Sequence, residues 1–173
     1  MQNYMPSNEF SVADDLIVFP GAVICGDVRV GRGCSVWFNA VMRTASPIVT
    51  GDNCNIQDNC VFHTAGLPTV LGDNVTVGHG AIVHGATIGN NCLIGMGAIV
   101  LDGAVVPDGC FVAAGALVTK ALRAEPGSMI MGSPAKAVRP LREEEAAEIA
   151  SAAERYRRES RRLAGEAGLA LSE

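Results

Sequence analysis

The sequence predicts an all-β solenoid followed by a C-terminal α-helix. Three observations carry that reading. Aliphatic and small residues recur every six positions from Val18 onward. Twenty glycines and an aromatic share of only 5% describe a core of small and branched aliphatics with many tight corners. From Leu141 to Leu163 the chain becomes alanine-rich and carries neither glycine nor proline.

A period of six matches neither the 3.6 of a helix nor the 2 of a strand. One such unit is too short to bury its own apolar side, so coils must stack to make a core. From Val70 the units read "VLGDNV", "TVGHGA", "IVHGAT", "IGNNCL", "IGMGAI", "VLDGAV", "VPDGCF" and "VAAGAL". The first position is aliphatic or Thr, and the fifth is small: Asn74, Gly80, Ala86, Cys92, Ala98, Ala104, Cys110 and Ala116. "TGDNCN" and "IQDNCV" keep this phase, as do the four units from Val18 to Val41. "MRTASPIV" and "FHTAGLPT" are each two residues longer, which predicts a small loop in each.

The pattern resembles the hexapeptide-repeat family. That resemblance implies a left-handed parallel β-helix of triangular section, with three hexads per coil. On such a prism Met42, Phe62, Ile82 and Val100 begin strands on a first face. Thr50, Val70, Ile88 and Val106 begin them on a second, and Val36, Ile56, Thr76 and Ile94 on a third. Both long units then bulge from the first face in adjacent coils. The expected units are a β-helix over 1–140 and a helix with tail over 141–173.

Early glutamates and late arginines in the last segment suit the helix dipole. Ile149, Ala153, Tyr156, Ser160 and Leu163 follow helical spacing along it. The tail "AGEAGLALSE" is expected to fray. A net charge of −5 removes the basic surface that nucleic-acid phosphates require. The longest apolar stretch, "CLIGMGAIVLDGAVV", is glycine-rich and interrupted by Asp102, unlike a membrane span. "MQNYMPSNEFSVADD" lacks the basic start and apolar run of a signal peptide, so a cytoplasmic, reducing location is expected. Five of the six cysteines, Cys34, Cys54, Cys60, Cys92 and Cys110, take the small fifth position. With no CxxC pair among them, they are expected to be unlinked thiols filling corners.

All three histidines, His63, His79 and His84, fall within one short stretch. On the prism His63 and His84 share the first face in neighbouring coils, with Arg43 one coil below His63. Gln57 and Asp58 lie on the third face, one coil below the strand leading to His79. These columns meet only if two prisms pack side by side, and a three-fold closes such head-to-tail contacts. Spacing alone leaves a metal site and three unrelated polar histidines equally open.

"SVWFNAVMR", "NIQDNCVFH" and "TVGHGAIVHGATIGNNCLIGMGAIVLDGAV" closely resemble γ-class carbonic anhydrases. The resemblance implies a homotrimer that binds zinc, with ferrous iron or cobalt as other occupants, between subunits. His63 and His84 would come from one chain and His79 from the next. It also implies reversible hydration of CO2 to bicarbonate by hydroxide on the metal, since zinc lowers the pKa of a bound water to about 7. By position, Gln57 would orient water or bicarbonate, Asp58 would pair with an arginine, and Arg43 would stand at the subunit contact. Asn55 would assist, and Tyr156 would face the site from the terminal helix.

Two departures stand out. Where the family usually carries "RGD", this chain reads Arg43-Thr44-Ala45, and the loop after His63 has no acidic residue. Other readings are an acyltransferase or acyl-CoA thioesterase, since many hexapeptide proteins handle acyl-CoA, and a trimer subunit that holds metal without catalysis. One histidine as general base serves an acyltransferase, so three converging on a metal disfavour it.

Overall fold

Residues 11–168 are described in the computed structural model of the chain. The first ten residues of the expected solenoid unit and the last five of the tail lie outside them. The strands visit three sheets in turn, coil after coil, for about six turns. One sheet stacks Ile17–Val18, Ser35–Val36, Asn55–Ile56, Thr76–Val77, Leu93–Ile94 and Phe111–Val112. The next stacks Val23–Cys25, Val41–Thr44, Val61–Thr64, Ile82–His84, Ile99–Val100 and Leu117–Val118. The third runs from Ser11–Val12 to Val105–Val106. Coil-to-coil pairing is parallel throughout, as in Val41–Thr44 against Val61–Thr64. Ser128–Gly132 extends the first sheet, and Ala135–Pro140 folds back on it antiparallel.

The corners explain the repeat. Asn53, Asn59, Asn74 and Asn91 take positive φ, as do Gly33, Gly80, Gly97 and Gly109. Left-handed backbone is open to glycine and, among the rest, favoured by Asn. The next residue turns inward and is small at every one of these corners except Val75 after Asn74. Cys54, Cys60, Ala81, Cys92, Ala98 and Cys110 fill that place and are buried. All six cysteines are free thiols, as expected. The buried ones donate to nearby carbonyls, Cys54 to Gly72 and Cys92 to Pro107, each at 3.1 Å. Burial pushes the Cys60 and Cys92 thiols up to about 12, which leaves them unreactive.

The hexad frame needs one correction. Between Val70 and Thr87 the interior is filled by Leu71, Val75, Val77, Ala81 and Val83, not by the residues one place earlier. The loop after Phe62 therefore carries one more residue than the repeat suggested. The frame recovers because Val83 and the next interior strand residue, Ile88, are five apart instead of six. The short turn passes through Gly85 at φ +56. This slip sets His84 directly opposite His63. The two predicted loops do lie side by side. The Thr64 hydroxyl meets those of Thr44 at 2.6 Å and the Ser46 N–H at 3.0 Å, while the Thr69 N–H donates to the Pro47 carbonyl at 3.0 Å.

Helix α1, Glu143–Ala167, lies across the first sheet, which we call the helix-covered sheet. Ala164, Tyr156 and Leu163 pack on Ile17, Phe19 and Trp37. Its start is pinned to the last strand: Glu145 takes both guanidinium nitrogens of Arg139, at 2.7 and 2.8 Å, and the Arg142 N–H at 2.9 Å. The helix outruns the expected tail boundary and ends only at Gly168 in the left-handed region, because Ala164 is still buried. Among the described residues no helix is long and apolar enough to cross a membrane.

Candidate metal centre

The second sheet carries two histidines, and strand alternation aims them. Phe62 and Val83 are fully buried, so their neighbours His63 and His84 face outward. The register stacks Cys25, Arg43, His63 and His84 in one column. His63 Nδ1 stands 2.9 Å from His84 Nε2. His84 Nδ1 stands 2.7 Å from Asp102 Oδ1. Partial desolvation, then the Arg43 guanidinium and the His84 imidazole, push the His63 imidazole below its ordinary range. A neutral ring is the form that binds a metal.

His79 occupies the corner where the chain enters this sheet, between Gly78 and the left-handed Gly80. Its Nδ1 lies 2.7 Å from Asp58 Oδ2. Its backbone N–H donates to Gln57 Oε1 at 3.1 Å. Gln57 Nε2 donates to Asn55 Oδ1 at 3.1 Å, and Asn55 Nδ2 to the Thr76 hydroxyl at 2.8 Å. Asn55 and Gln57 face outward on the helix-covered sheet, yet each is only 2% exposed.

The sequence candidates thus separate into groups. Arg43, His63 and His84 come together, and so do Asn55, Gln57, Asp58 and His79. Asp58 meets a histidine within the chain, where the resemblance implied an arginine. Gln57, expected to hold water or bicarbonate, here spans Asn55 and the His79 backbone. Arg43 is exposed and has no carboxylate partner among the described residues. Tyr156 stands apart, its ring edge-on to Trp37 at 5.6 Å.

Within one chain, and among the described residues, no three His, Cys, Asp or Glu groups converge to hold a metal ion. The donors nonetheless fit one. Two imidazole nitrogens on a tetrahedral zinc stand about 3.3 Å apart, from Zn–N bonds of about 2.0–2.1 Å. The 2.9 Å between His63 and His84 needs only a few tenths more. Each of His79 and His84 has Nδ1 held by a carboxylate, the usual outer partner of a ligating imidazole.

Asp102 was not among the sequence candidates. Its signal was an acid breaking an apolar run, one coil above the turn at His84. The frame slip between Val83 and Ile88 hid that relation.

The family model described as "Bacterial transferase hexapeptide (six repeats)" matches residues 68–100 and 85–120. The chain is 43% identical over 153 residues to "Gamma carbonic anhydrase 2, mitochondrial" of Arabidopsis thaliana, covering 84% of this chain and 55% of that one. It thus spans about half the length of that plant relative. It is 47% identical over 147 residues to "Probable carbonic anhydrase" of Methanocaldococcus jannaschii, covering 84% of this chain and 92% of the relative. Among solved structures, a hexapeptide transferase family protein of Anaplasma phagocytophilum matches with a TM-score of 0.80 and 40% identity. That match covers 88% of this chain and 91% of the other.

Proposed function

The chain belongs to the γ carbonic anhydrase family of hexapeptide-repeat proteins, and from that premise we propose that it is a zinc-dependent homotrimer that hydrates CO2 to bicarbonate. The observation that carries the proposal is the in-register pair His63 and His84, two imidazole donors short of a third. His79, held on the neighbouring corner, supplies that third donor from an adjacent chain. When bound, zinc supplies the Lewis acidity that brings the pKa of a water to about 7. Ferrous iron and cobalt suit the same imidazoles.

The chain's own residues do the positioning. Asp58 holds the His79 ring by Nδ1, and Gln57 holds its backbone, so the donor stays aimed off the corner. Arg43 adds positive charge one coil from His63, where bicarbonate forms and leaves. The outward neighbours of the histidines are apolar: Val61, Ile82 and Phe38 are each 37% exposed, and Met96 60%. Covering them with a second prism excludes water from the site and is the main favourable term in assembly.

One observation favours a second reading. The solved relative at 40% identity is described as a transferase, so acyl transfer or thioester hydrolysis on the same scaffold is the alternative. Metal analysis, CO2 hydration and thioester hydrolysis on wild type and on His63→Ala, His79→Ala and His84→Ala separate the readings. Each variant is expected to lose both metal and CO2 hydration while the solenoid persists, because none of the three side chains fills the interior. Full metal retention in all three variants overturns the proposal. Thioester hydrolysis without CO2 hydration selects the alternative.

A further inference from the structure

We propose that Asp102 is a positioning residue of this centre, which fixes His84 as the Nδ1–H tautomer and thereby makes Nε2 its metal-binding atom. The inference rests on the metal reading above and adds a residue to it. A carboxylate beside a ring nitrogen accepts its proton in a hydrogen bond. At 2.7 Å the Asp102 carboxylate therefore holds the His84 proton on Nδ1. Nε2 is then a lone pair, and it points at His63.

The proton in the 2.9 Å contact between the rings must then come from the other side. His63 donates Nδ1–H to His84 Nε2. The metal-free chain carries a directed relay, His63 to His84 to Asp102. On binding, a cation takes the His84 Nε2 lone pair, and His63 frees Nδ1 by carrying its proton on Nε2 instead. Asp58 holds His79 Nδ1 in the same way at 2.7 Å, so two carboxylates set the donor atom of two histidines from different corners of the prism.

Gly85 leaves room for this approach, as Gly51 and Gly89 do for Asp73 and Asp108 in the coil above them. It is the only residue between His84 and the buried corner residue Ala86. A Cβ placed on it would collide with the Asp102 carboxylate oxygen. Its φ of +56 also suits glycine. The turn is shaped so that the carboxylate from the coil above can reach across to the ring. Other corner acids are committed to backbone instead: Asp108 Oδ1 accepts the Asn90 N–H at 2.8 Å, and Asp73 Oδ1 that of Asp52 at 2.8 Å.

The test uses the full chain, stripped of metal and then titrated with Zn2+ against a chromophoric chelator. Removal of an outer carboxylate typically costs 10–100-fold in metal affinity. Asp102→Ala is expected to show a loss of that order, and Gly85→Ala a similar one. Asp108→Asn, which removes an equivalent corner acid, should leave Zn2+ affinity unchanged. Nitrogen-15 spectra of the metal-free protein should show His84 protonated on Nδ1 in wild type and a mixture of tautomers in Asp102→Ala. Wild-type affinity in Asp102→Ala overturns the proposal, as does a wild-type His84 protonated on Nε2. If wild type takes up no Zn2+, the metal reading fails, and the tautomer spectra alone then decide for or against the Asp102 clamp.

Discussion

Two neighbouring sheets of this solenoid have the same interior and opposite exteriors. On the helix-covered sheet, outward residues from Ile17 and Phe19 through Trp37 to Asn55 and Gln57 are buried beneath α1. On the histidine-bearing sheet, Val61 and Ile82 remain more than a third exposed beside His63, His84 and Arg43. Inward positions are apolar and buried on both. The repeat therefore determines that coils stack and says nothing about what covers them. One face is completed within the chain, and its buried amides hold the His79 corner rigid. The other is left apolar beside two stacked imidazoles, and in the proposed trimer it is the surface that another chain completes.

The strongest way to break this contrast is to strip the cover from the helix-covered face. Trp37 is 6% exposed, stacks near Phe19 and Tyr156, and donates its indole N–H to Ser35 at 2.9 Å. Trp37→Ala is expected to cost about 3–5 kcal/mol of folding stability. Chemical unfolding followed by helix signal and by metal release will show the helix loosening first. A loss below about 1 kcal/mol would mean that α1 is not what stabilises this face.

The complementary change charges the histidine-bearing face. Ile82→Asp places a carboxylate among Val61, Ile99 and the histidines. In an isolated chain this partly exposed position should cost about 1 kcal/mol or less. In the proposed trimer it puts an unpaired charge in a dry contact, which is costly. Light scattering is expected to show smaller particles, and metal content should fall with them. Unchanged mass and metal would remove this face from the interface.

How much of this was legible follows from the same contrast. The solenoid, its three faces and the stacking of Arg43 under His63 could be read because interior packing imposes a period. The frame between Leu71 and Val83 was misread by one residue. Val70, Thr76 and Ile82 are also β-branched or aliphatic, so composition could not tell the inward column from the outward one. The pairing of Asp58 with His79 needed the corner geometry. Asp102 escaped because its partner lies across a turn one residue short, and no periodic signal marks a deletion. Burial of Asn55 and Gln57 depends on where α1 lies down, which the weak stripe on that helix does not specify.

The smallest expected effect sharpens the contrast by pH. Glu145 ties α1 to the solenoid through Arg139, the Arg142 N–H and the Arg142 guanidinium. The hydrogen bonds from Arg139, then that from the Arg142 N–H, hold its carboxyl down at about 2, against an ordinary value near 4.5. A carboxyl depressed on folding stabilises the folded state while it is ionised. That contribution is complete above the unfolded pKa and disappears as pH falls through the folded one. Glu145→Gln keeps the shape and removes the charge. The gap in melting temperature between wild type and Glu145→Gln should be constant from neutral pH down to about 5 and close between about 4.5 and 2. Thermal melts in both buffers, read at the helix band, measure it. A gap that persists unchanged to the acid end would show that shape, not charge, pins the helix to its face.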